Sequence, residues 1–242
     1  MSRLVAADAL AAQTVVVVGG SAGIGRATGV LAASAGANVI LISRTLAKVE
    51  AAAATMPRAR AIAVDFTDAR AVDTAFASIQ HLHHLVVTAV GDEYALFGEL
   101  GTLTSDQIEA SFDKLRGFVH VARAAAPKLD ERGSITFLSG AGARKPPRHT
   151  ALAAAANGAI EALGRALAVD LAPRRVNVMM PGAIDTEHHG AAHESVAKWA
   201  RSLPLGYFGQ PIDIAEAIVF AMTNPYLTGQ TLIVDGGYLA WS

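Results

Sequence analysis

Short apolar runs alternate with longer stretches of helical apolar spacing along nearly the whole chain. The sharpest run is Val15-Val16-Val17-Val18, four β-branched residues that predict a strand buried on both faces of a sheet. Similar strands are predicted at residues 38–42, 61–64, 85–87, 135–138, 176–180 and 232–234. Between them the spacing turns helical, first at Ile24, Ala27, Thr28, Leu31 and Ala32. Further helices are predicted over residues 46–54, 68–78, 150–171, 192–202 and 213–222. A Thr104/Gln107 capping box opens one long helix, expected to run unbroken to about Ala126. Strict alternation of strand and helix implies an α/β, Rossmann-like, doubly wound parallel sheet of seven strands in a single domain over residues 1–242. Its ligand crevice is expected at the carboxyl ends of the strands.

The first strand leads at once into Gly19-Gly20-Ser21-Ala22-Gly23-Ile24-Gly25. Strand, glycine turn and helix in that order bring unpaired backbone N–H groups and the positive end of a helix dipole to one spot, which suits a pyrophosphate. Gly19 permits the turn, Gly23 lets phosphates approach, and Gly25 lets the helix sit close to the strand. In dinucleotide folds an acidic residue about 20 positions on takes the ribose hydroxyls. Here Ser43 and Arg44 stand there, and Arg forms charge-assisted bonds to a 2′-phosphate that an acid would repel. That favours NADP(H) over NAD(H). Asp65, at the end of the third strand beside Phe66, is placed to accept from an adenine amino group or to cap the next turn. Ser21, Ile24, Ala89 and Gly91 complete this side of the expected cofactor site.

Composition narrows the partners. Of 242 residues, 52% are hydrophobic and 17% charged, with a net charge of −1 and no basic run, which argues against nucleic acid. High apolarity with low surface charge suggests cover by sister subunits. The chain has no cysteine, so disulfides, thiolate catalysis and Cys-ligated zinc are excluded. No uninterrupted apolar run of membrane-spanning length is seen, and residues 1–13 do not read as a secretion signal, so no membrane partner and a cytoplasmic location are expected. His81, His83 and His84 sit at the entering end of a strand with no carboxylate set in sequence, and are expected to be solvated loop residues with no metal.

The chain resembles the short-chain dehydrogenase/reductase family over nearly its full length. The matching residues are Val18-Gly19-x-x-x-Gly23-Ile24-Gly25, Asp65, Ile160-Glu161-Ala162-Leu163, Arg175-Val176-Asn177-Val178, Pro181-Gly182-Ala183-Ile184-Asp185-Thr186 and Asp235-Gly236-Gly237. The resemblance implies contacts from Pro181, Gly182, Ile184 and Thr186 to the nicotinamide end, a small-molecule carbonyl or alcohol substrate, and a homodimer or homotetramer.

The family's catalytic Asn, Ser, Tyr and Lys do not carry over. Anchored on residues 160–163, the Tyr position holds Ala153 and the Lys position Asn157; the Ser position holds Gly140, next to Ser139, and the Asn position holds Lys114. No tyrosine lies between Tyr94 and Tyr207, and alanine has no proton to give. Lys114 and Asn157 exchange the family's two residue types, which suggests that Lys114 places its ammonium near the missing lysine's position, hydrogen-bonded to Asn157. Lys114, Asn157 and Ser139 are therefore the candidate catalytic residues. Tyr94, His149, His188 and His189 are weaker candidates for a proton donor, and Trp199, Leu203, Leu205 and Phe208 lie in the segment expected to line the substrate pocket. Three readings follow: an atypical NADP(H)-dependent oxidoreductase, a catalytically silent NADP(H)-binding sensor or partner subunit, and a non-redox enzyme, against which the intact glycine motif argues.

Overall fold

A computed structural model of the protein describes residues 5–241; the first four residues of the 1–13 stretch lie outside them. Seven strands form one parallel sheet in the order β3-β2-β1-β4-β5-β6-β7. They are β1 (Thr14–Val18), β2 (Asn38–Ser43), β3 (Ala59–Ala63), β4 (Leu82–Val87), β5 (Leu129–Leu138), β6 (Arg175–Pro181) and β7 (Thr231–Val234). The chain winds outward from β1 to β3, then returns to β4 beside β1 and winds the other way. The direction therefore reverses between β1 and β4, and a crevice opens beyond their carboxyl ends.

The valines of β1 show why the sheet is covered twice. Val15 and Val17 face the core formed with α1 (Gly23–Ser34), α2 (Leu46–Ala53) and α8 (Pro211–Thr223). Val16 and Val18 face the opposite core, with α3 (Ala69–Ala77), α5 (Asp113–Ala125) and α6 (Ala151–Asp170). All four are buried, each contributing about 1.5–3 kcal/mol of apolar burial. Helix α6 is by length and composition apolar enough to cross a membrane, but it packs against β5, β6 and α5 within the domain.

Three expectations are corrected. The helix from the Thr104 capping box is two helices, α4 (Ser105–Ser111) and α5, with the break at Phe112. Strand β4 starts at Leu82, so His83 and His84 lie in it rather than in a loop. His84 is buried, bonded through Nδ1 to Ser134 Oγ (2.8 Å) and through Nε2 to Gln13 Oε1 (2.7 Å). Burial, then the Arg175 and His83 charges, push its pKa down to about 3. The carboxylate that the histidines lack in sequence arrives from β5: Asp130 Oδ2 lies 3.3 Å from His81 Nε2, and exposed His81 forms a compact cluster with half-buried His83 and Asp130. His83 Nδ1 already accepts from the backbone N–H of Thr14 (3.0 Å).

Helix α5 packs closely on the Phe66 ring because of one residue. A Cβ on Gly117 would collide with the Phe66 ring, which sits edge-on to Phe118 with centroids 6.3 Å apart.

Candidate active site

A cavity of about 1110 Å³ fills the crevice at the carboxyl ends of β1, β4, β5 and β6. Its first wall is the loop from β1 into α1. Gly19 has φ +92°, and a Cβ there would stand 2.6 Å from Ala89 N. A Cβ on Gly25 would collide with Gly19 O and Thr88 Oγ1, so only glycine allows α1 to begin so near β1 and β4. The N-cap of α1 is Ala22, which offers no side-chain cap, and no acidic residue stands in the first turn. The first-turn N–H donors therefore face the cavity without a competing side chain. Ser21 Oγ and Ser43 Oγ are 2.9 Å apart and tie this loop to the end of β2. Gly19 and Gly20 donate to Ile42 O (2.8 and 3.2 Å), which anchors the turn, and the first-turn donors of α1 are left to fit a pyrophosphate.

At the far end of the same wall stand Ser43, Arg44 and Lys48. Lys48 lies in the first turn of α2, whereas Arg44 stands before its N-cap Thr45, so no helical spacing in the sequence pairs the two cations. Phe66, Ala89 and Gly91 also line the cavity, as do Pro181, Gly182, Ile184 and Thr186 on the opposite side. Asp65 is the exception: its neighbours Val64 and Phe66 line the cavity but it does not. Its Oδ1 accepts from Thr67 N–H (2.9 Å) and Thr67 Oγ1 (2.8 Å). Burial pushes the Asp65 carboxyl up, but these two bonds and the Arg44 charge outweigh it and hold it below its ordinary value.

Deeper in, Lys114, Ser139, Ala153 and Asn157 share one wall. Lys114 Nζ lies 2.6 Å from Asn157 Oδ1 and 2.8 Å from Glu93 Oε1. Asn157 Nδ2 donates to Ala153 O (3.0 Å), which fixes its amide orientation. Ser139 Oγ donates to the backbone oxygen of Asn157 (2.9 Å), so its proton is spent on helix α6 rather than offered to the cavity. Glu93, in a short 3-10 turn after β4 (Glu93–Leu96), was not singled out from the sequence, where nothing marks a loop carboxylate as a partner for a lysine on a later helix. Burial pushes the Glu93 carboxyl up, yet the Lys114 charge and hydrogen bond, with His188 and Asn157, bring it below its ordinary value. His188 Nε2 is 3.9 Å from Glu93 Oε2.

Tyr94 and His189 also line the cavity, with Tyr94 Oη 2.7 Å from His189 Nδ1. His149 is exposed and not on the cavity wall. Of the four apolar residues expected to line the substrate side, only Trp199 does. Leu203 packs instead against Tyr238, Leu205 is exposed, and Phe208 stacks on His189 with centroids 5.5 Å apart.

Residues 18–239 match the family described as enoyl-(acyl carrier protein) reductase. Carbonyl reductase family member 4 of Danio rerio is 32% identical over 231 residues, covering 92% of this chain and 96% of that protein. The 3-oxoacyl-[acyl-carrier-protein] reductase of Bos taurus is 33% identical over 230 residues, covering 91% and 95%. A small-chain dehydrogenase solved in complex with NADPH superimposes with a TM-score of 0.82 at 33% identity, over 95% of this chain and 100% of that one.

Proposed function

The chain belongs to the short-chain dehydrogenase/reductase family, and on that premise we propose that it is an NADP(H)-dependent oxidoreductase acting on a carbonyl/alcohol pair through a non-standard active site. The observation that carries the reading is the continuous wall from the Gly19–Gly25 cradle to Lys114, with the cations Arg44 and Lys48 at one end. When bound, the dinucleotide supplies or accepts the hydride. Ser21, Gly23, Ile24 and Gly25 would hold its pyrophosphate through backbone donors, Gly19, whose own N–H is bonded to Ile42 O, would shape the turn, and Arg44 and Lys48 would select the 2′-phosphate by charge. Ser43, where an acid would disfavour that phosphate, leaves the selection unopposed. Phe66, Ala89 and Gly91 would line its adenosine side, and Pro181, Gly182, Ile184 and Thr186 its nicotinamide side.

The family's Tyr and Lys are replaced by Ala153 and Asn157. Lys114 restores a cation at the base of the crevice, and Asn157 and Glu93 orient it. The ammonium is thereby paired, which suits it to holding charge and position more than to giving up a proton. Ser139 orients α6 through its bond to Asn157 O. Ala153 leaves room beside the reaction centre for a substrate bulkier than a phenol at that position would admit. Reductases among the relatives act on carbonyl and oxoacyl groups by name, which supports a carbonyl substrate here. Exposed apolar side chains along α4, α5 and the break between them, among them Ile108, Phe112 and Val119, support a homodimer or homotetramer.

The test is a titration of NADPH by its fluorescence, followed by its absorbance against a panel of aldehydes and ketones. Substrate-dependent oxidation by the wild type, reduced in Lys114→Ala, supports the reading. Binding with no oxidation in either protein assigns the chain instead to the silent nucleotide-binding proteins, a reading favoured by the alanine at residue 153. No NADPH binding overturns both.

A further inference from the structure

The Tyr94 phenol and the His189 imidazole form a hydrogen-bonded pair in the crevice. His189 Nε2 is 2.7 Å from the backbone oxygen of Ile184. A carbonyl only accepts, so Nε2 carries a hydrogen. In the neutral ring Nδ1 is then bare, and the Tyr94 hydroxyl, 2.7 Å away, donates to it. A proton arriving on Nδ1 reverses that bond. The ring then donates to Tyr94 Oη, and the phenolic hydrogen is released to turn into the cavity that both residues line. Both groups are held in place: the imidazole stacks on Phe208, and the phenol tilts against Phe97 with centroids 5.1 Å apart.

We propose that Tyr94 is the proton donor to the substrate oxygen, recharged by His189 behind it, and that this relay stands in for the phenol missing at Ala153. The proposal rests on the carbonyl-reductase reading above. In balance, the carbonyl carbon gains a hydride with its electron pair from the reduced nicotinamide, and the C=O π electrons move to oxygen. That oxygen takes the proton of Tyr94 Oη, Tyr94 takes the proton of His189 Nδ1, and His189 is reprotonated from solvent. The carbonyl is reduced to an alcohol and the nicotinamide is oxidised. An alkoxide is far more basic than a phenolate, so the first transfer runs downhill. Tyr94 is the catalytic residue and His189 a positioning residue that acts through it.

The charged groups around the pair set its pH response. Glu93 adjoins Tyr94; His188, His193 and Asp185 surround His189. Burial above all, with the His188 and His193 charges, lowers the His189 pKa, against the Ile184 carbonyl and Asp185, which raise it. The protonated relay is thus a minor species at neutral pH and grows on acidification, so the rate of reduction is expected to rise as pH falls towards the folded His189 pKa.

Three measurements test this. Turnover of NADPH with the best carbonyl of the panel is followed across roughly pH 5 to 8, NADPH affinity is read by fluorescence, and the His189 imidazole is titrated by NMR in the nucleotide-free protein. Tyr94→Phe is expected to lower turnover by at least about tenfold, leave NADPH affinity within about twofold, and shift the His189 titration midpoint. His189→Gln, which keeps an amide donor and acceptor but cannot titrate, is expected to flatten the pH profile of reduction. A Tyr94→Phe protein with wild-type turnover and pH profile, or one in which the His189 titration is unmoved, overturns the relay and leaves the reductase reading standing. Failure of the wild type to bind NADPH, or to consume it with any carbonyl, overturns the reductase reading and with it the donor role.

Discussion

Lys114 on α5 meets Asn157 on α6 in one wall of the crevice, with Nζ 2.6 Å from Oδ1 and 2.8 Å from Glu93 Oε1. The lysine side chain is only 7% exposed and the glutamate 25%, so each charge depends on the other for its solvation. Breaking a buried pair costs more than removing both charges, because the survivor is left without a partner.

Lys114→Met is therefore expected to destabilise the protein by about 2–4 kcal/mol. The double variant Lys114→Met/Glu93→Gln should recover part of that, with a coupling energy of about 1–3 kcal/mol. Urea midpoints for the cycle of four proteins check this.

Arg44→Ala and Lys48→Ala are each expected to weaken NADPH binding by about three- to tenfold and to leave NADH binding almost unchanged. Both side chains sit on the exposed rim, so any preference for NADPH that they confer should shrink as salt is added. Fluorescence titrations of the two nucleotides at low and high ionic strength read both effects.

Gly25→Ala places a Cβ against Gly19 O and Thr88 Oγ1. It is expected to cost about 1–3 kcal/mol of stability and to abolish nucleotide binding. Gly91→Ala, where nothing lies within 4 Å of the new carbon, should leave stability nearly unaltered. Thermal melts with and without NADPH separate the two.

Acid stability follows from His84. Its folded pKa of about 3 lies below the ordinary 6.5, so below pH 6.5 the unfolded chain binds a proton that the folded one refuses. The contribution is complete above pH 6.5 and is lost as pH falls towards 3, at roughly 1–1.5 kcal/mol per pH unit. Urea unfolding at pH 7, 6 and 5 should show this slope, and His84→Asn should reduce it.

The sheet was legible because its central strands are buried on both faces and so read as unbroken apolar runs, as at Val15–Val18. The cradle was legible because glycines there answer to backbone geometry alone. His84 was misread because its partners, Gln13 and Ser134, are 71 and 50 residues away, and a histidine without them looks solvated. The break at Phe112 was hidden because helical spacing continues through it. Glu93 had no local signature, since its meaning comes from Lys114, 21 residues on, once α5 has folded over the crevice.

The contact of Gly117 with Phe66 has a mechanical consequence. Gly117 lies three residues beyond Lys114 on α5, so the helix that presents the ammonium also leans on an aromatic ring in the wall near Arg44. The two extremities of the binding trough are braced by a single rod. A bulkier side chain at that one pivot would tilt the rod and be felt at both.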